Sequence, residues 1–169
     1  MKLMRVSLLS LLLLAFLLNG CGFHLRGKNT LPVERIFVQT SNEFSPFIVQ
    51  LKHALEVSGA QLTDTPEAAQ LTLHVVSEVM DKQILSLSSG GRVREYRLQY
   101  RVSLRAYDKK QQDWLSASEI SLRRDFSYDD SQILSKEQEE NLLQKNLRSD
   151  AVQQVVRRLI HARQPQPAP

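Results

Sequence analysis

The residues of this 169-residue chain that could do chemistry are one cysteine, four scattered histidines and a set of basic side chains. Cys21 closes the stretch Leu18-Asn19-Gly20-Cys21, behind a basic start (Lys2, Arg5) and an apolar run from Val6 to Leu18 broken only by Ser7 and Ser10. Charged, then apolar, then small is the layout of a secretory signal. A small residue just before a cysteine at the end of such a run fits the bacterial lipobox. There the cysteine is S-diacylglycerol-modified, the leader is removed and the new amino group is N-palmitoylated. Asn19 stands where Ala or Ser is commoner, a mild departure. The competing readings are an ordinary signal followed by a free thiol, and a transmembrane helix. The run, about a dozen residues, falls short of the ~20 that cross a bilayer. Acylation of Cys21 leaves no thiol for disulfides, thiol catalysis or a thiolate metal site.

The remaining side chains argue for binding over catalysis. His24, His53, His74 and His161 have no metal-site spacing, no serine sits in a nucleophile elbow, and Gly90-Gly91 lacks the lysine and following helix of a phosphate loop. Neither a catalytic group, a metal nor a cofactor is expected. Asp129-Asp130 reads as a solvated pair of loop acids. The positive signal is cationic. Arg97, Arg101 and Arg105 recur every four residues, so on a strand they share one face about 13 Å apart. Arg123 joins that face from the next strand, Arg92 and Arg94 flank a Ser-Gly-Gly turn, and Lys136 stands at the start of the last helix beside Glu137, Glu139 and Glu140. Arginines in such a row suit bidentate contact with phosphates or carboxylates. The alternative is a solvated strand face balanced by Glu95, Glu119 and Asp125. Nucleic acid is excluded as a partner, because export removes the opportunity and the tyrosines fall on the apolar face. The phosphates available at an outer membrane belong to lipopolysaccharide and phospholipid.

The leader bounds everything else. Removing residues 1–20 takes Lys2 and Arg5 and no acid, so the net charge falls from +4 to about +2. Acyl chains bury about 0.8 kcal/mol per methylene, enough to hold an exported protein on a membrane surface. Residue 22 is Gly, not the Asp that retains enteric lipoproteins in the inner membrane, which favours the outer one. We therefore read 1–20 as a cleaved signal peptide, 21–163 as a single domain with an N-terminal lipid tether, and 164–169, Gln-Pro-Gln-Pro-Ala-Pro, as a disordered tail.

The elements that must position these residues follow from periodicity. Arg35–Thr40 is a short β-rich run. Ser45 caps a helix with Pro46 at its first position, an apolar stripe of Phe47, Ile48, Leu51, Ala54 and Leu55, and Gly59 as its stop. A second strand runs from Leu71 to about Leu87, and Ser88-Ser-Gly-Gly91 is a hairpin turn. The third strand alternates strictly: Tyr96, Leu98, Tyr100, Val102, Leu104 and Ala106 on one face, Arg97, Gln99, Arg101, Ser103 and Arg105 on the other. After a polar turn at 108–113, a fourth strand spans Trp114 to about Tyr128. Ser135 with Gln138 resembles a capping box, and the long helix beyond carries Leu143, Leu147, Ala151, Val155 and Leu159. The order β-α-β-β-β-α predicts an α+β two-layer sandwich. Two helices pack on one face of a four-stranded, mainly antiparallel, mixed sheet, and the other face is polar.

Cys21-Gly-Phe-His-Leu-Arg-Gly27 resembles the mature start of the LPS-assembly lipoprotein LptE family. The likeness continues through the element order, the Gly-containing hairpin followed by Glu95-Tyr96, the Ser-Lys-Glu-Gln-Glu run before the last helix, and Arg157-Arg158-Leu159 near its end. This resemblance implies a non-enzymatic outer-membrane lipoprotein, lipid-anchored on the periplasmic side. It implies a heterodimer in which the chain plugs the lumen of the LptD β-barrel, aids that barrel's assembly and helps deliver lipopolysaccharide to the outer leaflet. Basic residues near the hairpin tip and before the last helix are associated in the family with lipopolysaccharide. Lys136 matches the second position. At the first, Ser89 stands where a basic residue can occur, and Arg92 is the nearest cation. In that setting the Arg97, Arg101, Arg105 row meets either lipid phosphates or acids of the barrel wall. The competing function is an anchored periplasmic module for another anionic envelope polymer or a phospholipid, and behind it an exported hydrolase.

Overall fold

The computed structural model describes residues 31–162. The expected leader, the lipidation site Cys21, the Cys21–Gly27 motif and the 164–169 tail lie outside the described residues.

The first strand, β1 (Arg35–Gln39), leads through a loop into helix α1 (Pro46–Val57). The start of α1 is set locally. Ser45 Oγ accepts from the backbone N–H of Phe47 at 3.1 Å, and Pro46 occupies the first turn, where its missing donor costs nothing. Its end is a Schellman turn: Gly59 at φ +95° lets its own N–H reach Glu56 O at 2.9 Å and the Ala60 N–H reach Leu55 O at 3.0 Å. The chain emerges directly into a two-residue strand, β2 (Gln61–Leu62), then β3 (Leu71–Leu87), β4 (Val93–Asp108) and β5 (Asp113–Ser127). A short 3₁₀ turn (Asp130–Gln132) precedes the long helix α2 (Ile133–Ile160).

The sheet runs β2-β1-β3-β4-β5, with β1 parallel to both β2 and β3 and the rest antiparallel. It is thus the expected mixed α+β sandwich, with five strands where the sequence suggested four. Gln61-Leu62 carries no periodic pattern, and it becomes a strand only because the Schellman turn lays it beside Arg35 and Ile36. A second correction concerns α2. It begins at Ile133, two residues before Ser135, and its N-cap residue Gln132 makes no side-chain capping bond. Asp129 does the capping instead, one turn earlier, by accepting from the Ser131 N–H at 2.9 Å. Ser135 consequently lies inside the first turn.

The core is the one-sided layer that the alternation requires. Leu98, Tyr100, Val102, Leu104 and Ala106 of β4 are buried against Phe47, Ile48, Leu51 and Leu55 of α1 and Leu147, Ala151, Val152, Val155 and Leu159 of α2. One polar joint sits in this layer. Glu78, on the helix side of β3, accepts from the hydroxyl of the α1 cap Ser45 and from the Tyr100 hydroxyl at 2.7 Å. Burial first, and the Glu78 contact second, push the Tyr100 phenol well above its ordinary range.

A phenol held neutral in the folded state adds stability that is complete below the unfolded pKa, about 10, and lost as pH rises further. Tyr100→Phe should cost about 1 kcal/mol at neutral pH by losing the bond to Glu78. In urea melts the gap between the two proteins should then narrow above pH about 10. A gap that stays constant or widens there would show that Tyr100 does not hold its proton as the fold requires.

Candidate functional site

The turn joining β3 to β4 is built from Ser88 and Gly91. The Ser88 N–H donates to Arg92 O at 2.7 Å, Ser88 Oγ accepts from the Arg92 N–H at 3.1 Å, and Gly91 takes φ +76°. Glycine tolerates that angle at no steric cost. The turn leaves Arg92 and Arg94 exposed, and neither forms an ion pair among the described residues. The end of β5 is tied to the same place, because the Tyr128 N–H donates to Arg94 O at 2.7 Å. The chain then passes through Asp129 and the 3₁₀ turn into α2.

That route brings the two cation positions singled out in the sequence to one place. An open concavity of about 680 Å³ is lined by Arg92, Arg94, Ser127, Tyr128, Asp129 and Lys136, among others. Lys136 is the most enclosed of the cations, with 15% of its side chain exposed. It is aimed by donation to Ser127 Oγ at 3.1 Å and to Glu139 Oε2 at 2.8 Å. Asp129 is held below the ordinary aspartate range, chiefly by the Ser131 backbone N–H, then by the Ser131 hydroxyl, with the Lys136 charge adding to it. The site is therefore mixed: three cations around a floor of hydroxyls, with Asp129 already committed to its own turn and Asp130 beside it. It can coordinate a phosphate through Lys136 as a point charge and Arg92 or Arg94 as forks.

The remaining expected residues are placed differently. Arg97, Arg101 and Arg105 do share the open face, but they are engaged. Arg97 holds Asp125 in a two-pronged pair at 2.7 and 2.8 Å, and these two residues sit directly opposite in the β4–β5 register. That hydrogen-bonded pair lowers the Asp125 carboxyl and raises the guanidinium, and nearby Arg123 lowers Asp125 further. Arg101 reaches diagonally to Asp81 on β3 at 2.7 Å, with its Nε–H buried and unpartnered. Arg105 stacks over the Tyr107 ring, 4.4 Å from its centre. Arg123 is exposed beside the Arg97–Asp125 pair, remote from the Lys136 concavity. So Arg92, Arg94 and Lys136 come together, while the row and Arg123 form a separate surface on which Arg97 and Arg101 are charge-paired.

The sequence reading treats Asp129 as a solvated loop acid and passes over Ser131 and, outside the concavity, Lys82. Asp129 and Ser131 together shape the concavity, and the Asp-x-Ser pattern is the available signal, since a short acidic side chain caps the N–H two residues on. Lys82 stands on the helix side of β3, paired with Glu140 at 2.5 Å and 4.2 Å from the centre of the Tyr96 ring. Alternation counted from Leu71, Leu73 and Val75 assigns it to the open face, and the register shift between Val75 and Ser77 turns it to the helix side. Among the described residues no group of His, Cys, Asp and Glu could hold a metal ion, and no helix is long and apolar enough to cross a membrane.

Comparison with known proteins gives consistent results. The family model LptE, lipopolysaccharide-assembly, matches residues 33–159. The LPS-assembly lipoprotein LptE of Yersinia enterocolitica is 29% identical over 163 residues, covering 92% of this chain and 76% of that protein. The protein of the same name from Pectobacterium atrosepticum is 26% identical, covering 93% and 87%. Among solved structures, the solution structure of uncharacterized lipoprotein B from Nitrosomonas europaea is similar at TM-score 0.70 and 36% identity, covering 80% of this chain and 88% of that one. The crystal structure of a minor lipoprotein from Acinetobacter baumannii shares the fold at TM-score 0.65 and 23% identity, covering 82% and 99%.

The concavity makes a prediction of its own. An NMR titration should find the Asp129 carboxyl protonating below the ordinary aspartate range. The turn it caps should be fully formed above that range and loosen as pH falls through the lowered value. Lys136→Met should move the Asp129 midpoint upward without unfolding the domain. No movement would mean that the two residues do not share a site.

Proposed function

The chain belongs to the LptE lipopolysaccharide-assembly family, and from that premise we propose that it plugs the LptD β-barrel and touches lipopolysaccharide directly through Arg92, Arg94 and Lys136. The family is non-enzymatic and acts in lipopolysaccharide transport at the outer membrane. In our reading Cys21 carries the acyl chains, residues 1–20 are removed, and the domain that follows is held on the periplasmic side with its hairpin inside the barrel lumen.

The observation that carries the direct-contact reading is the convergence of Arg92, Arg94 and Lys136 on one open concavity. Each phosphate of lipopolysaccharide is an anion with several acceptor oxygens. The serine floor and the Lys136 ammonium offer donors already oriented by Ser127 and Glu139. Glu139 competes for the same ammonium, so the site is poised for reversible contact more than for tight capture. The charge-paired sheet face supports the plug. Paired arginines and acids keep such a surface wettable, and a barrel wall can meet it through polar, hydrated contacts.

Two experiments test this. Affinity capture of tagged full-length lipoprotein from detergent-solubilised outer membranes should bring down a large β-barrel in equal amount. Intact membrane-bound lipoprotein without one would move the reading to a free anion-binding module. For the contact, Lys136→Ala should weaken lipopolysaccharide binding about tenfold or more, since a charged hydrogen bond contributes about 1.5–3 kcal/mol. Glu139→Gln, which frees the same ammonium, should strengthen it. Equal affinities in the three proteins would refute the assigned role of Lys136.

A further inference from the structure

Trp114, the sole tryptophan of the chain, stands at the opposite end of the molecule from the hairpin turn. Two openings meet at its ring. One, of about 670 Å³, is lined by Trp114, Leu115, Arg157, Arg158 and His161. The other, of about 600 Å³, is lined by Pro32, Glu34, Lys109, Lys110 and Trp114. The β4–β5 turn and the last turn of α2 thus set basic side chains around one half-buried indole. Its Nε–H is buried and finds no acceptor in the protein.

These charges are not consumed by the fold. Backbone groups close the end of α2, the His161 N–H reaching Arg157 O at 3.3 Å and the Ala162 N–H reaching Leu159 O at 3.1 Å. Arg158 donates to Ser118 Oγ and Glu119 O, whereas Arg157, Lys109 and Lys110 make no ion pair among the described residues. Of the acids at this end, Asp108 is engaged by the N–H groups of Lys110 and Gln112, which leaves exposed Glu34, Glu67 and Asp113 against the cations.

The chain also enters the domain here. Leu31 is ten residue steps from Cys21. At about 3.3–3.6 Å per residue the lipid tether keeps this end within roughly 35 Å of the bilayer surface. A tryptophan beside clustered lysines and arginines is the composition of a surface that rests at the headgroup level of an anionic leaflet.

We propose that the Trp114 end docks on anionic phospholipid headgroups of the leaflet that holds the anchor, with Lys109, Lys110 and Arg157 meeting phosphates and the indole entering the headgroup boundary. This is a second lipid contact, at the other end of the molecule from the Lys136 concavity. It rests on the Cys21 tether proposed above and not on the barrel.

The test uses the lipidated full-length mature protein in vesicles of phosphatidylcholine, with or without phosphatidylglycerol, each carrying bromine on its acyl chains. Being the only tryptophan, Trp114 reports without labelling. Flotation is expected in both vesicles. Emission should be quenched and blue-shifted severalfold more strongly with phosphatidylglycerol, and raised salt should remove the difference. The Lys109→Glu, Arg157→Glu double variant, changed only at exposed positions, should float with a native circular dichroism spectrum and lose the difference. Failure to float is failure of the tether and takes the inference with it. Flotation with no quenching, or with equal quenching in the two vesicles, overturns the inference alone.

Discussion

The structure depends on a mismatch of lengths. The β3–β4 hairpin is built of strands of 17 and 16 residues, about 50–55 Å at 3.3 Å per residue. Helix α1 has 12 residues and covers about 18 Å, and α2 has 28 and covers about 42 Å. Helix α1 can therefore shield only the base of the sheet, and α2 alone runs on toward the turn. The change is written into β3, whose helix-side residues pass from Leu71, Leu73 and Val75 to Glu78, Met80, Lys82 and Ile84. Glu78 marks the boundary, because it receives the cap of α1. Beyond it the strand has only the rim of α2 for cover, and Lys82 bridges that gap to Glu140 while Ile84 stands exposed. A hairpin outrunning its helices places Arg92 and Arg94 far from the base, and only a helix as long as α2 can bring Lys136 alongside them.

The open face solves a different problem. A sheet side with no helices must be wettable, yet a surface of unpaired like charges repels itself and any partner of the same sign. Here Arg97 faces Asp125 across the ladder and Arg101 reaches Asp81 diagonally, so cations and acids alternate within a few ångströms. Exposed pairs of this kind add little to stability. Their effect is on what the face can meet: a hydrated wall with its own polar groups, more readily than one concentrated anion. Beyond this face, at the concavity by the turn, the chain leaves Arg92 and Arg94 without an ion pair among the described residues.

Much of this was legible in residue spacing. The alternation from Tyr96 to Ala106 assigned every side chain of β4 to the correct layer, and Ser45-Pro46 and Gly59 marked both ends of α1. What spacing could not reveal is set by three-dimensional register. Gln61-Leu62 is a strand only by adjacency to β1. The Ser135 capping pattern gave way to Asp129, since a 3₁₀ turn already supplied the first helical bonds. The pairing of Arg97 with Asp125 depends on the β4–β5 ladder, whose register slips near Ala106 by an amount no pattern in 113–118 announces. The arginine row thus looked like a ligand surface because its partners sit on other strands. The convergence of Arg92 with Lys136 was likewise invisible, because it needs β5 to return the chain to the turn before α2 begins.

The two ends of the domain divide the chemistry. At the base, the β4–β5 turn, the entry of the chain and the close of α2 gather lysines and arginines around an indole. At the tip, the turn and the start of α2 gather three cations around hydroxyls. Between them runs a face on which Arg97 and Arg101 are already paired with acids. In the reading proposed above, such an order would let each end engage a lipid anion with little competition from the middle, because unpaired cations keep more electrostatic reach to recruit a phosphate than paired ones. Had the Arg97, Arg101, Arg105 row been left unpaired, it would have offered a continuous anionic-lipid track along the sheet and erased the distinction between the ends. The in-sheet acids Asp81 and Asp125 are what keep the two sites separate.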